Sequence, residues 1–216
     1  MRGGGARGAV FRTAVLRQAA ARLLGYPGEE LMRELPLLRE AVTGAGTPAA
    51  RPLLAFLDHA EATGRAELAA HYVHTFDFDR RHCLHLTWWE DGDTRRRGAA
   101  LLRVKQTYQR YGLEPDGGEL PDFLPVVLEF SAVSRTDGLL RRHRAGLEQL
   151  REALARAGTP YAQVVSAVCA TLPAPGPADR ARAERLAAAG PPREDVGLTP
   201  YGAPGPVLVP LTERAR

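Results

Sequence analysis

The sequence predicts an all-α chain: an irregular multi-helix bundle of about eight helices with a Pro/Ala/Gly-rich C-terminal tail. Three observations carry this. Apolar residues recur at helical spacing, as in Phe11, Ala14, Val15, Ala19 and Leu23 or in Leu140, Leu147, Leu150 and Leu154. No alternating Val/Ile-rich run of strand length precedes residue 200. The 216 residues, 44% hydrophobic and 25% charged with net charge +4, have the balance of a globular protein, and a chain of that size buries roughly 70% of its extended surface without disulfides or metal.

Helices are expected over residues 9–24, 28–43, 48–63, 65–76, 95–111, 122–134, 137–157 and 160–172. The first stops at Gly25-Tyr26-Pro27. Its start, with Arg2, Arg7, Arg12, Arg17 and Arg22 and no acid before Glu29, imitates a targeting peptide, but the apolar stripe runs on into Leu23 and Leu24 as in a first globular helix. Thr47-Pro48 and Thr159-Pro160 pair an N-cap residue with a first-turn proline, and Gly44, Gly112 and Gly158 suit the position just past a helix. Residues 121–131 are apolar almost all round, the mark of a helix packed on several sides at the bundle centre. Two units are expected: a helical domain at 1–172 and a loosely ordered tail at 173–216, where Pro173, Pro175, Pro177, Pro191, Pro192, Pro200, Pro204, Pro206 and Pro210 leave little for a core. Within the tail only 179–189 could form a helix. Val207, Leu208, Val209 and Leu211 make a small apolar cluster that reads first as part of a frayed terminus and otherwise as a segment able to dock, including on the protein's own binding surface.

Several function classes are excluded or weakened. No apolar run approaches the roughly 20 residues of a spanning helix, and none suits a secretory signal, so the cytoplasm is the expected compartment. Cys83 and Cys169 allow at most one disulfide. There is no GxxxxGK[ST] loop and no GxGxxG after a strand, so nucleotide binding is unsupported. The pI of about 9.4 and the Thr94-Arg95-Arg96-Arg97 run raise nucleic acid as a partner. The basic residues are nevertheless spread along the chain, and Lys105 is the only lysine, which reads as genomic base composition rather than a phosphate footprint. His71, His74, His82, Cys83 and His85 lie close in sequence but lack the paired spacing of a zinc site. Cys83 has no recognisable oxyanion hole or substrate pocket to serve as a nucleophile. No metal, cofactor or catalytic residue is therefore expected.

The informative stretch is 71–98. Aromatic segments flank Arg80-Arg81, followed by Glu90-Asp91-Gly92-Asp93. Trp88 and Trp89 are adjacent and point to different sides of a helix, so one of them is expected to line a surface groove. Asp77, Asp79, Glu90, Asp91 and Asp93 would rim it, suiting an amphipathic peptide with basic residues. Composition alone equally allows an ordinary aromatic core beside a solvated acidic loop.

Longer matches stand in order along the chain: Tyr72-Val-His-Thr-Phe-Asp77, Leu86-Thr-Trp-Trp89, Gly92-Asp-Thr-Arg-Arg-Arg-Gly98, Leu101 with Lys105 and Tyr108, and Glu119-Leu-Pro-Asp-Phe-Leu-Pro-Val-Val-Leu-Glu-Phe130. Over about residues 10–170 the sequence resembles the NarJ or delta-subunit family, molybdenum cofactor assembly chaperones of respiratory nitrate reductase within the wider group of redox-enzyme maturation chaperones. The resemblance implies an all-helical, non-catalytic protein that binds the N-terminal peptide of the apo catalytic subunit. It leaves molybdenum cofactor delivery proteins as further candidate partners and implies neither nucleic acid binding nor membrane insertion.

Carried over residue by residue, the resemblance puts Tyr72, Phe76, Asp77, Thr87, Trp88, Trp89, Asp93, Asp122, Phe123, Leu128 and Glu129 at the client peptide, with Arg95, Gly98, Pro121 and Pro125 shaping the loops. Phe123 stands where the family pattern has histidine, which removes any pH-sensitive role at that position. The basic pI is a second departure. Asp77 and Asp122 are expected to steer the client's positive end, because distant arginines are screened beyond about 8 Å at physiological salt. The alternative function is direct carriage of the molybdopterin guanine dinucleotide by Arg80, Arg81, Arg95, Arg96 and Arg97, which would require those side chains to converge on a pocket.

Overall fold

The computed structural model describes residues 3–115, 118–190 and 192. Among them the chain forms α1 (Gly3–Leu23), α2 (Glu29–Ala45), α3 (Ala50–Ala62), α4 (Arg65–Phe76), α5 (Trp88–Asp91), α6 (Arg96–Arg110), α7 (Leu124–Ser134), α8 (Gly138–Arg142), α9 (Arg144–Arg156), α10 (Tyr161–Ala170) and α11 (Pro177–Ala189), with a 3₁₀ turn at Arg80–His82 and no strand. The all-α expectation holds, with more helices than expected. One predicted helix is two: 137–157 bends at His143 (φ −100°, ψ 23°). Leu139, Leu140, Leu147, Leu150 and Leu154 stay buried through the bend, so the apolar stripe does not reveal it. The four-residue α5 is too short to leave a periodic trace. The possible helix at 179–189 is α11, and the apolar cluster Val207, Leu208, Val209 and Leu211 lies outside the described residues.

The helix ends follow local chemistry with two changes. Gly112 (φ 67°) and Gly158 (φ 69°) take the left-handed conformation expected after a helix, but Gly46 (φ 58°), not Gly44, closes α2. Neither Thr47 nor Thr159 caps with its hydroxyl. Their carbonyls open the helical ladders, accepting from Ala50 N at 2.9 Å and Ala162 N at 3.0 Å. The Thr159 hydroxyl instead meets His71 Nε2 at 3.0 Å.

The core centres on α7 and α10. α1 lies against α2, α7 and α10, while α10 also packs on α3 and α9. Leu124, Val127 and Leu128 of α7 are fully buried, as the all-round apolar sequence requires. Tyr161 of α10 meets Phe56 of α3 and Phe76 of α4, with ring centroids 4.8 and 4.9 Å apart. Arg17 is the polar pin of this core. Its buried guanidinium donates to Ser131 Oγ (2.9 Å), Thr171 Oγ1 (3.1 Å) and Thr171 O (3.0 Å), placing a cation at the negative end of α10. No helix of the described residues is long and apolar enough to cross a membrane.

Candidate functional site

Two chain segments that are far apart in sequence meet side by side. The run between the 3₁₀ turn and α5 touches the run before α7, with Leu86 N donating to Asp122 O (3.0 Å) and Leu124 N to Leu84 O (2.8 Å). A single antiparallel bridge joins His85 and Phe123. The Asp122 carboxylate, with no exposed surface, closes the clip: it accepts from Thr87 N (3.1 Å) and Thr87 Oγ1 (2.6 Å). His85 Nδ1 also donates to it at 3.1 Å, the tautomer that an ionised carboxylate requires. Burial alone would raise the Asp122 pKa, but the bonds from His85 and Thr87 outweigh it and hold the group below its ordinary value. Tyr108 OH donates to Pro121 O (2.6 Å) and fixes the same turn.

The clip sets Phe123 as the wall between two cavities. The smaller, about 200 Å³, is lined by Tyr72, Phe76, Asp77, Arg80, Cys83, Leu84, His85, Trp88 and Phe123. The larger is a groove of about 570 Å³ between the α1–α2 turn and the α6–α7 connection with α7. Tyr26, Leu31, Leu113, Phe123, Val126, Phe130 and Val133 give it apolar walls, and Glu30, Glu114, Glu119 and Glu129 stand on it with Arg22 as the only basic lining residue among the described residues. Arg22 is held by Glu34 at 2.8 and 3.0 Å and also reaches Glu30 at 3.5 Å, and Lys105 pairs with Glu114 at 3.2 Å. Tyr26 and Val133 are 61% and 65% exposed, so apolar surface is open to solvent here.

The structure redistributes the residues expected at the client. Tyr72, Phe76, Asp77, Trp88 and Phe123 come together in the smaller cavity, while Phe123, Pro125 and Glu129 line the larger. Thr87 and Asp122 are buried in the clip and Leu128 in the core, out of reach of any peptide in this conformation. Asp93, Arg95 and Gly98 lie exposed around the start of α6, and Pro121 is half-buried. Trp88 and Trp89 are both largely buried, at 8% and 5% exposure, and point to different sides, one onto a cavity and the other into the core. Trp88 faces the smaller cavity, and Trp89 packs so closely on α9 that a Cβ at Gly146 would lie 2.9 Å from its side chain. The Trp89 indole donates to Cys83 O at 3.2 Å.

The expected acidic rim is largely neutralised. Arg81 chelates Asp79 at 2.7 to 3.1 Å, and these bonds carry its pKa down to about 2. Asp93 pairs with Arg80 (3.2 Å), and Glu90 with Arg182 of α11 (2.6 Å). The same pairs keep the arginines from converging. Arg80, Arg81 and Arg97 are engaged by carboxylates, and of the five arginines only Arg80 lines either cavity at Phe123. The histidines are spread over separate partners: His71 with Thr159, His82 with Thr75 O (2.7 Å) and His85 with Asp122. Burial pushes the Cys83 thiol up, away from a thiolate nucleophile.

Residues 40–167 match the nitrate reductase delta subunit family. The chain belongs to that family. It is 40% identical over 160 residues to the nitrate reductase-like protein NarX of Mycobacterium tuberculosis, an alignment covering 73% of this chain and 24% of NarX. It is 32% identical over 154 residues to the probable nitrate reductase molybdenum cofactor assembly chaperone NarJ of Bacillus subtilis, covering 69% of this chain and 84% of that protein. With the nitrate reductase molybdenum cofactor assembly chaperone NarJ of Escherichia coli it shares 31% identity over 115 residues, covering 52% and 49%. The chain thus spans about a quarter of NarX and about half of the Escherichia coli protein. The delta subunit match takes in the clip, the smaller cavity and the α7 wall of the groove, whereas the Tyr26–Leu31 wall precedes it.

Sequence reasoning missed that wall, together with Leu113, Glu114 and Glu119. Gly25-Tyr26-Pro27 is visible as a helix stop, but its approach to α7 is a long-range contact that no local pattern encodes. The exposed Tyr26 immediately after an apolar stripe is the one available signal.

Proposed function

We propose that this delta subunit family member is a dedicated, non-catalytic assembly chaperone for a respiratory nitrate reductase. It binds the N-terminal segment of the apo catalytic subunit and keeps that subunit competent for molybdenum cofactor insertion in the cytoplasm, before membrane assembly. The observation that carries the reading is the open apolar groove edged by Glu30, Glu114, Glu119 and Glu129. In the same family, relatives from two organisms are named molybdenum cofactor assembly chaperones.

An amphipathic helix with basic flanks suits such a groove. Its apolar face covers Tyr26, Val126, Phe130 and Val133, and its cations meet the four glutamates. The smaller cavity beyond Phe123 takes one further side chain, with Asp77 at its lip. Asp122 acts as a positioning residue, because it holds Phe123 between the two cavities without facing either. Capture of a leader that is free only in the immature enzyme couples release to folding, because the final packing competes for the same residues.

Calorimetric titration with a peptide spanning the N-terminus of the cognate catalytic subunit tests this. Micromolar binding is expected, weakened at least tenfold by Val133→Lys, which alters an exposed groove residue without touching the core. Asp77→Asn separates the two cavities, since Asp77 is exposed and lines only the smaller one. No binding by the folded protein would move recognition elsewhere on the client.

A further inference from the structure

We infer that the segment following α11 is an intramolecular occupant of the acid-edged groove, so that the chain carries its own competitor for a peptide partner. The inference rests on the reading of the groove as a peptide site and adds regulation to it.

α11 shows how the preceding chain is held. It buries none of its side chains, yet it lies on α9 through Gln149 Nε2 donating to Ala183 O (3.1 Å) and is tied to α5 by the Arg182–Glu90 pair. Polar tethers of this kind orient a segment while contributing little stability of their own. Beyond the helix, Pro192 lies over the α5–α6 loop, so close to Gly92 (φ 55°) that a Cβ there would overlap the Pro192 carbonyl. The neighbouring Asp93 pairs with Arg80, a lining residue of the smaller cavity. Pro192 is therefore packed on the loop whose Asp93 holds Arg80, a lining residue of the cavity that shares Phe123 with the groove.

The residues after Pro192 have the chemistry the groove asks for. Val207, Leu208, Val209 and Leu211 precede Arg214 and Arg216, with only Glu213 as a nearby acid. An apolar run followed by two cations complements apolar walls edged by four carboxylates, of which Glu30 and Glu114 already meet Arg22 and Lys105 and Glu119 and Glu129 are exposed. The fifteen residue steps from Pro192 to Val207 reach about 50 Å when extended, enough to cross a domain of this size. Tethering supplies an effective concentration on the order of millimolar. A segment with an intrinsic dissociation constant of about 0.1 mM would then occupy the groove roughly 90% of the time, lowering the apparent affinity for an external peptide about tenfold.

The test uses the full chain and its Leu208→Asp/Val209→Asp variant, whose changes lie outside the described residues. Amide exchange is read over residues 25–31 and 118–133, and affinity is read with the synthetic client peptide. The variant is expected to exchange about tenfold faster in both segments and to bind the peptide about tenfold more tightly. Arg214→Glu/Arg216→Glu should produce a smaller change that vanishes in 0.5 M salt, on the order of what screening predicts. Equal exchange in variant and parent overturns the inference, whatever the peptide does. Protection that rises with protein concentration also overturns it, by assigning the occupant to a second copy. A change in exchange with no peptide binding to either protein would leave the inference standing and remove the client reading instead.

Discussion

Phe123 separates two regions whose carboxylates differ in burial. Beside the smaller cavity, Asp122 is fully buried and held by Thr87 and His85, while Asp79 pairs with Arg81 and Asp93 with Arg80 nearer the surface. Around the larger groove, Glu30 and Glu114 pair with Arg22 (3.5 Å) and Lys105 (3.2 Å) yet keep 72% and 65% of their side chains exposed, and Glu129 faces solvent. The buried carboxylate determines whether the fold is right, and the exposed glutamates determine what approaches it. The difference matters because the motifs most recognisable in the sequence belong to the first kind.

Asp122→Ala gives the largest expected effect. It strands the Thr87 hydroxyl and amide and loosens both segments that present Phe123, at about 3–5 kcal/mol, the range for removing one member of a buried charged network. Urea unfolding measures this, and the more conservative Asp122→Asn should lose less. If Asp122→Ala unfolded at the parent midpoint but lost peptide binding, Asp122 would be a contact residue and the contrast between structural and recognition carboxylates would fail.

The pH dependence of stability comes next. His143 is buried, and desolvation, reinforced by Arg142, brings its pKa from 6.5 to about 4. The unfolded chain therefore binds a proton that the native one refuses between those values. Stability is full above pH 6.5 and falls by about 3 kcal/mol as the pH drops to about 4, with no further His143 contribution below that. Asp122 has the opposite charge type and a depressed folded pKa. Its contribution is present above the unfolded value near 3.9 and is lost only as the pH falls through the lower folded value. His143→Leu should flatten the curve between pH 6.5 and 4 and leave the acid limb below 4 in place.

The two regions are unequally legible in the sequence. Helix stripes, the left-handed glycines Gly112 and Gly158 and the central apolar helix are local signals, and they place the bundle. The clip is half legible: the Pro-Asp pair and the Thr-Trp-Trp run stand out, but they read as peptide contacts because a sequence does not distinguish a buried carboxylate from an exposed one. Trp89 is hidden for a related reason, since its face is covered by the bare backbone of Gly146, while Trp88 lines the smaller cavity. The groove is hardest. Its walls come from Tyr26–Leu31 and 113–133, and nothing local pairs them.

Smaller effects belong to the groove charges. Glu119→Gln/Glu129→Gln should change stability by less than about 0.5 kcal/mol, the usual range for exposed positions. It should weaken the client peptide about three- to tenfold by calorimetry. Loss of stability comparable to that of Asp122→Ala would mean that these glutamates are structural after all.

The smallest effect is the sharpest discriminator, because Asp77 is exposed at the lip of the smaller cavity and shares its lining with Arg80. Asp77 lines the smaller cavity and not the groove, so a peptide cation seated in the groove meets it only across Phe123, where about 0.15 M salt, with a screening length near 8 Å, weakens the attraction. Asp77→Asn should therefore alter peptide affinity by less than about twofold and leave its salt dependence unchanged, whereas Glu119→Gln/Glu129→Gln should flatten that dependence. Affinities measured for both variants between 0.05 and 0.5 M salt, on the order of the screening range, make the comparison direct. If Asp77→Asn flattened the dependence more than the double glutamate variant, the positive end of the client would sit in the smaller cavity, and the larger groove would bind only its apolar face.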